Sequence, residues 1–148
     1  MPGQRENEIE DMKNLLKQLD APEQPGGVLS DREISHYYTV MKDPALKGQL
    51  SSQDKKLLTR RLWKTLKVYM SSMMLIKDFN IIFESFKNKQ QTTEKNAAAG
   101  RLKPEQVETI EDESTIKLLL RCEKMYDAKQ EIVRILIKIK KREQLMNQ

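Results

Sequence analysis

Residues 63–83 read WKTLKVYMSSMMLIKDFNIIF and form the densest apolar stretch of a chain that is otherwise highly charged. The longest unbroken apolar run within them covers residues 73–76, and a lysine and an aspartate follow at once. This run is far shorter than the roughly 20 residues that cross a bilayer, so we expect no membrane segment. From Met70 onward the apolar side chains point in almost every direction around a helix axis. A helix of this kind must be buried on all sides.

The composition around this stretch is typical of long helices. Charged residues make up 33% of the 148 residues, aromatic residues only 5%, and Gly and Pro number five each. The mean hydropathy is −0.71. β-Architectures need turn residues every 8–12 positions, and long parts of this chain lack them. We therefore predict an all-α, elongated helical bundle or coiled-coil-like protein, with two long helices and shorter N-terminal helices.

The apolar stretch extends a helical pattern that covers residues 51–89. Its start signal is SSQD at residues 51–54, and a capping box at Ser30 and Glu33 starts a shorter helix before it. The shorter helix is expected to end at Asp43, because the residue before Pro44 is pushed out of the α region. Residues 30–89 are thus predicted to be a short helix followed by a long helix. One face of the long helix carries Leu58, Leu62, Leu66, Tyr69, Met73 and Ile76.

Residues 1–29 are predicted to be an N-terminal docking helix with a Pro/Gly linker. The apolar residues Ile9, Met12, Leu16 and Leu19 follow the 3-4-3 spacing of a coiled-coil seam. Two heptads are too short to hold a helix in water unaided, which favours a docking role. The sequence APEQPGGVL at residues 21–29 then interrupts any helix.

The C-terminal half is predicted to be a flexible polar linker at residues 90–104 and a long helix at residues 105–148. Pro104 suits the first turn, with Ser114 as the alternative start, and the acidic residues Glu111, Asp112 and Glu113 suit a solvated helix start. The sequence ILIKIKK near the end alternates with period two, so a short strand is the alternative there. Helical 4-3 spacing, interrupted by Lys129, is followed by Leu118, Cys122, Met125, Ile132, Leu136 and Ile139.

Positive charge is concentrated on the two long helices, with a net +6 for residues 51–89 and +5 for residues 114–148. Such faces are expected to contact either nucleic acid or an acidic protein partner, although cations near a helix C-terminus also complement its dipole. The candidate contacts are Lys56, Arg60, Trp63, Lys64 and Lys67 on the first helix and Lys138, Lys140, Lys141 and Arg142 on the second.

Residues capable of catalysis are few. His36 and Cys122 are the single residues of their types, and no nucleophile or phosphate-loop motif accompanies them. We therefore expect no enzyme, no cofactor, no metal site and no small-molecule substrate. One cysteine and the absence of an apolar leader in MPGQRENEIED favour an intracellular location, cytoplasmic or nuclear.

The predicted function is that of a non-enzymatic helical subunit of a multiprotein complex, in a homo- or hetero-oligomer. The segment apolar around its full circumference and the wide stripe of the last helix would leave apolar surface uncovered within one chain. The alternative is a nucleic-acid-associated protein of chromatin or ribonucleoprotein type. The predicted partner interface consists of Ile9, Met12, Leu16, Leu19, Met70, Met73, Met74, Ile76, Phe79, Phe83, Leu119, Tyr126, Val133, Leu136 and Ile137.

Overall fold

A computed structural model describes Glu10 and residues 27–147 of the chain. The part of the chain it describes contains helices and turns but no strand, so the all-α prediction is confirmed, and ILIKIKK is helical. The docking helix predicted around residues 6–20 lies outside the described residues, except for Glu10, which is helical and exposed. Within residues 27–147 the helices are α1 (Asp31–Lys42), α2 (Pro44–Lys47), α3 (Ser52–Ser72), α4 (Ile76–Ala98) and α5 (Pro104–Met146).

The predicted start signals operate as capping boxes. The amide of Glu33 donates to Ser30 Oγ at 3.1 Å, and the amide of Ser30 donates to the Glu33 carboxylate at 3.2 Å. Ser51 and Asp54 form the same reciprocal pair at the start of α3. These bonds satisfy backbone N–H groups that the first helical turn leaves without partners. Pro44 ends α1 as predicted and opens the short α2.

The prediction of one long helix through residue 89 is wrong, because the chain turns at residues 73–75. Met74 takes a left-handed conformation with φ 60°. The amide of Leu75 donates to the carbonyl of Met70 at 2.7 Å, and the amide of Met74 donates to that of Ser71 at 3.1 Å. This pair of bonds is a Schellman motif, which ends a helix and redirects the chain. The stretch that seemed apolar on all sides is therefore two helices whose apolar faces meet.

The predicted flexible linker at residues 90–104 is also wrong for its first part, because α4 continues to Ala98. Residues 90–98 contain no Gly or Pro, and Ala, Gln, Glu and Lys are good helix formers. The helix ends in a second Schellman motif, in which Gly100 has φ 75° and the amide of Arg101 donates to the carbonyl of Asn96 at 2.9 Å. The polar residues 90–98 therefore form a helix, although their composition resembles that of a linker.

Helix α5 is the shared support of the fold, since α1 and α3 both pack on it and α4 packs on α3 and on α5. Within the described residues, no helix is both long enough and apolar enough to cross a bilayer. The main core contains Leu29, Ile34, Met41, Leu58, Leu62, Leu66, Met70, Phe79, Leu118, Leu119 and Cys122.

Candidate functional site

The apolar stripe of α5 is covered by other helices in its N-terminal part. Leu118 and Cys122 are buried in the core, and Met125 packs against it at the next heptad position. Leu119 on the adjoining position is fully buried. The Cys122 thiol donates to the carbonyl of Leu62 on α3 at 3.7 Å, which shows how closely α3 and α5 approach.

The same stripe continues beyond the helices that cover it. Ile132 packs in the cluster around Tyr69 and is the last residue of α5 in either apolar core cluster of the described chain. Further along, Leu136 and Ile139 are half-buried, whereas Ile135 is 37% exposed and Met146 is 85% exposed. We call the following residues the C-terminal stripe: Ile132, Ile135, Leu136, Ile139 and Met146.

The predicted interface residues fall into three groups. Met70, Phe79 and Leu119 are buried in the chain's own core, so they are not available on its surface. The N-terminal residues Ile9, Met12, Leu16 and Leu19 lie outside the described residues. The remaining positions are at least partly exposed: Met73, Met74, Ile76, Phe83, Tyr126, Val133, Leu136 and Ile137.

The turn between α3 and α4 presents a second apolar patch. Met74 is 86% exposed, because its left-handed backbone directs the side chain away from both helices. Ile76 and Ile81 on the first turns of α4 are also exposed. The turn thus separates side chains that sequence spacing had grouped together: Met70 and Phe79 face the core, and Met74 and Ile76 face solvent.

Trp63, predicted at the edge of a basic face, lines a cleft together with Lys56 and Arg60 of that face and also packs in an aromatic cluster. Its ring meets those of Phe79, Phe83 and Phe86 edge-on, with ring centroids 5.0–5.9 Å apart. Within the described residues, the indole Nε1 is the buried side-chain nitrogen that lacks a hydrogen-bond partner. The ring therefore contributes both to packing between α3 and α4 and to the wall of the cleft.

A cleft of about 670 Å³ lies between α3, α4 and α5 beside this cluster. From the predicted basic face, Lys56 and Arg60 line it, and Lys87 and Lys89 of α4 join them. Sequence reasoning missed the two α4 lysines, because only the turn at Met74 brings α4 alongside α3. Lys64 and Lys67 are exposed on α3 and do not line the cleft. The opposite wall is acidic, with Glu108, Glu111 and Asp112.

Asp112 is not part of a solvated helix start, as the sequence predicted, but is buried between α2, α3 and α5. Its carboxylate forms ion pairs with Lys47 at 3.2 Å and with Lys55 at 3.2 Å. Lys55 also contacts Glu108 at 3.1 Å. Partial burial of Lys55 opposes its charge, but the hydrogen bonds to Glu108 and Asp112 outweigh it, so the pKa of Lys55 is raised. This network fixes the N-terminal part of α5.

Arg61 is a buried cation that sequence reasoning missed. Its guanidinium binds the Glu33 carboxylate through both terminal nitrogens, at 2.9 Å and 3.1 Å. Its Nε donates to the carbonyl of Gly27 at 2.9 Å. Arg61 lies next to the exposed Arg60 in the sequence, and no residue pattern distinguishes the two. The pair locks the start of α1 and the preceding residues onto α3.

The C-terminal cations Lys138, Lys140, Lys141 and Arg142 are exposed, as a charged contact surface requires. They flank the C-terminal stripe or lie opposite it on α5. Arg134 pairs with Glu131 on the same helix at 3.2 Å. The last turns of α5 therefore combine an apolar stripe with a basic border.

The residues considered for catalysis are separated in the fold. Cys122 is buried, and burial raises the pKa of its thiol to about 12, which disfavours the reactive thiolate. His36 is exposed on α1 with its ring edge-on to Tyr37. The described residues contain no cluster of three or more His, Cys, Asp or Glu side chains suited to a metal ion.

Comparison of the chain with known protein families, with curated proteins and with solved structures finds no match. The candidate site therefore depends on the geometry of this chain alone.

Proposed function

We propose that this protein is a non-enzymatic helical subunit of a multiprotein complex, which binds a partner helix through the C-terminal stripe of α5. The observation that supports the proposal is the extension of the stripe beyond the helices that cover it. Apolar residues recur at heptad positions from Leu118 in the core to Met146, 85% exposed, with Lys129 and Glu143 as charged interruptions, while the helices that cover the first part end near Ile132. A partner that continued the same packing would bury the remainder.

The geometry of α5 suits coiled-coil or bundle packing. At about 1.5 Å per residue, the part from Ile132 to Met146 is about 21 Å long, which is enough for two heptads of contact. Val133, about 100° from Ile132 around the helix axis, widens the apolar face on one side, and the exposed Ile137 adds an apolar side chain near the opposite face. A wide face favours packing against more than one helix, from another protein or from a second copy of this chain.

The patch at the turn between α3 and α4 offers a second contact with the same chemistry. Met74, Ile76 and Ile81 are exposed, and a flexible thioether adapts well to an irregular partner surface. Two separate apolar surfaces on one small protein fit a subunit that connects neighbours within an assembly.

The test is capture of partners by the full chain from the cells that produce it. Leu136→Asp places a charge in the stripe, and Lys141→Gln on the opposite face of α5 is the matched control with the same change in net charge. We expect proteins that bind the wild type and the control but not Leu136→Asp. Equal capture by all three forms would contradict the proposal.

A second candidate function is association with nucleic acid, and one observation favours it. Lys56 and Arg60 of α3 converge with Lys87 and Lys89 of α4 on one cleft, which concentrates positive charge from two helices. Phosphate contacts of this type weaken as salt increases. The affinity for a labelled single-stranded or duplex oligonucleotide should then fall steeply with salt, and Lys56→Glu with Arg60→Glu should flatten that dependence. Absence of salt-dependent binding would exclude this candidate.

A further inference from the structure

The cleft between α3, α4 and α5 is large enough to hold a small molecule. Its volume is about 670 Å³, within the roughly 300–1,000 Å³ of ligand pockets in proteins. It exists because the turn at residues 73–75 brings α4 back beside α3. The expectation that the protein binds no small molecule came from a sequence in which this cleft is not visible.

The apolar part of the cleft is aromatic. Trp63, Phe83 and Phe86 line it, and Trp63 meets each of the other two rings edge-on with centroids 5.0 Å apart. The flat ring of a ligand packs favourably against such a cluster. The indole Nε1 of Trp63 is buried and has no hydrogen-bond partner among the described residues. Since buried polar groups are nearly always hydrogen-bonded, this donor calls for an acceptor that the chain does not provide.

The positive charges of the cleft are not neutralised by the protein. Four cations of α3 and α4 line it: Lys56, Arg60, Lys87 and Lys89. Among the side chains that the structure describes, none of the four forms an ion pair. The Lys87 ammonium lies 5.0 Å from the centroid of the Phe83 ring, so a cation adjoins the aromatic surface. A cleft with such a wall attracts anions, and the neighbouring rings favour an anion that carries a flat apolar group.

The wall formed by α5 accepts hydrogen bonds. Its carboxylates Glu108 and Asp112 form ion pairs with lysines, whereas Glu111 has no ion pair among the described side chains. The hydroxyl of Ser114 donates to a carbonyl of the same helix at 3.0 Å, which leaves its oxygen as an acceptor. A ligand that spans the cleft therefore has to bring hydrogen-bond donors to this wall.

We propose that the cleft binds a nucleoside phosphate. The base lies against Trp63 and Phe86, the phosphates contact the four cations, and the ribose hydroxyls donate to the wall of α5. An inorganic anion would leave the aromatic surface and the acceptors unused, and the cleft volume matches one small molecule better than a strand. This inference is independent of the partner helix proposed for α5, because no residue of the C-terminal stripe lines the cleft.

The test uses the fluorescence of Trp63, which is the single tryptophan of the chain and lines the cleft. The probe is ADP, and we expect it to quench this emission saturably. Arg60→Gln with Lys89→Gln removes one cation from each helix and should weaken ADP binding by about tenfold or more. Lys67→Gln with Lys77→Gln removes the same charge from exposed positions of α3 and α4 outside the cleft. This matched control should bind ADP as the wild type does.

Adenosine has the same base and ribose without the phosphates, and it should bind more weakly than ADP by about tenfold or more. No quenching by ADP, or equal affinity for ADP and adenosine, would overturn the inference. Equal losses in the two double variants would also overturn it, since binding would then follow net charge and not the cleft. Quenching by an adenylate oligonucleotide but not by ADP would overturn it in favour of nucleic acid. Partner capture by Leu136→Asp is a separate measurement, so either proposal can fail alone.

Discussion

The two halves of α5 share one heptad spacing and differ in what covers it. In the first half, Leu118, Leu119 and Cys122 are buried by α1 and α3, and Asp112 is held by lysines from α2 and α3. In the second half, Ile135 and Met146 are exposed, and the ion pair that the structure gives there, between Arg134 and Glu131, is local and on the surface. The sequence pattern specifies which side chains can form a core. Which of these side chains are buried depends on the helices that pack over them.

The two halves of α5 should differ most in the free energy of unfolding that is lost when a leucine is truncated to alanine. Leu119→Ala removes a fully buried side chain and should lower the free energy of unfolding by about 2–5 kcal/mol. Leu136→Ala, in the uncovered half, should cost under about 1 kcal/mol, because its side chain is only half-buried. Chemical denaturation of both variants measures the two values. Similar losses would show that the second half is as well packed as the first.

Thiol reactivity compares two equivalent heptad positions directly, since Leu136 lies two heptads after Cys122. The buried Cys122 reacts only when the fold opens, and burial also raises its pKa to about 12. In the variant Cys122→Ala with Leu136→Cys, we expect labelling by a disulfide reagent to be at least about a hundredfold faster than in the wild type, because local opening of a helix end needs less free energy than global unfolding. Equal rates would contradict the difference between the halves.

Alkaline pH should destabilise the fold through two buried groups, Cys122 in the covered half of α5 and Tyr69 on α3. Burial raises the pKa of Cys122 from 9.0 to about 12, and burial, followed by the charge of Asp31, raises the pKa of the Tyr69 phenol above its usual 10.0. The folded state then keeps protons that the unfolded state releases. The free energy of unfolding should be constant below about pH 8.5 and fall above pH 9, by up to about 1.4 kcal/mol per pH unit for each group.

Cys122→Ala should reduce the steepness of this fall between pH 9 and 12, and Tyr69→Phe should reduce it above pH 10. The slope is the relevant quantity, since both variants also change the packing at neutral pH. Denaturation series at several pH values provide it. An unchanged slope in both variants would assign the alkaline sensitivity to other groups.

The smallest predicted effect concerns the turns that position α4 beside the covered half. Met74 and Gly100 both occupy the left-handed position of a Schellman motif, with φ 60° and 75°. A side chain in this conformation costs about 1 kcal/mol, and Met74 is 86% exposed and loses few contacts on truncation. Met74→Gly should therefore raise the free energy of unfolding by up to about 1 kcal/mol, and Gly100→Ala should lower it by a similar amount. Thermal melting measures both effects. A lower melting temperature for Met74→Gly, or a higher one for Gly100→Ala, would contradict this explanation.

The helix starts were predictable from the sequence because their signals are local. Ser30 with Glu33, Ser51 with Asp54, and Pro44 each act within one helical turn, and the structure confirms all three. The turn at Met74 was not predictable in this way, because methionine rarely takes a left-handed conformation and packing of Phe79 and Phe83 against Trp63 supports it. The equivalent turn at Gly100 is visible in the sequence, because glycine readily takes a left-handed conformation.

The candidate site was only partly predictable for the same reason. The heptad spacing of α5 is visible in the sequence, but the residue at which its cover ends depends on the lengths and turns of α1 and α3. The burial of Arg61 and Asp112 likewise depends on partners 28 or more residues away, Glu33 and Lys55 among them. Charge runs do not distinguish a buried ion pair from a solvated one.

The most direct test of the stripe as a docking surface is photocrosslinking in the cells that produce the protein. A benzophenone side chain at position 139 lies on the C-terminal stripe, and one at position 141 lies on the opposite, exposed face of the same helix. We predict that position 139 yields a discrete adduct of higher mass with another polypeptide and that position 141 does not. Adducts from both positions alike, or from neither, would contradict the assignment of the stripe as the partner-binding surface.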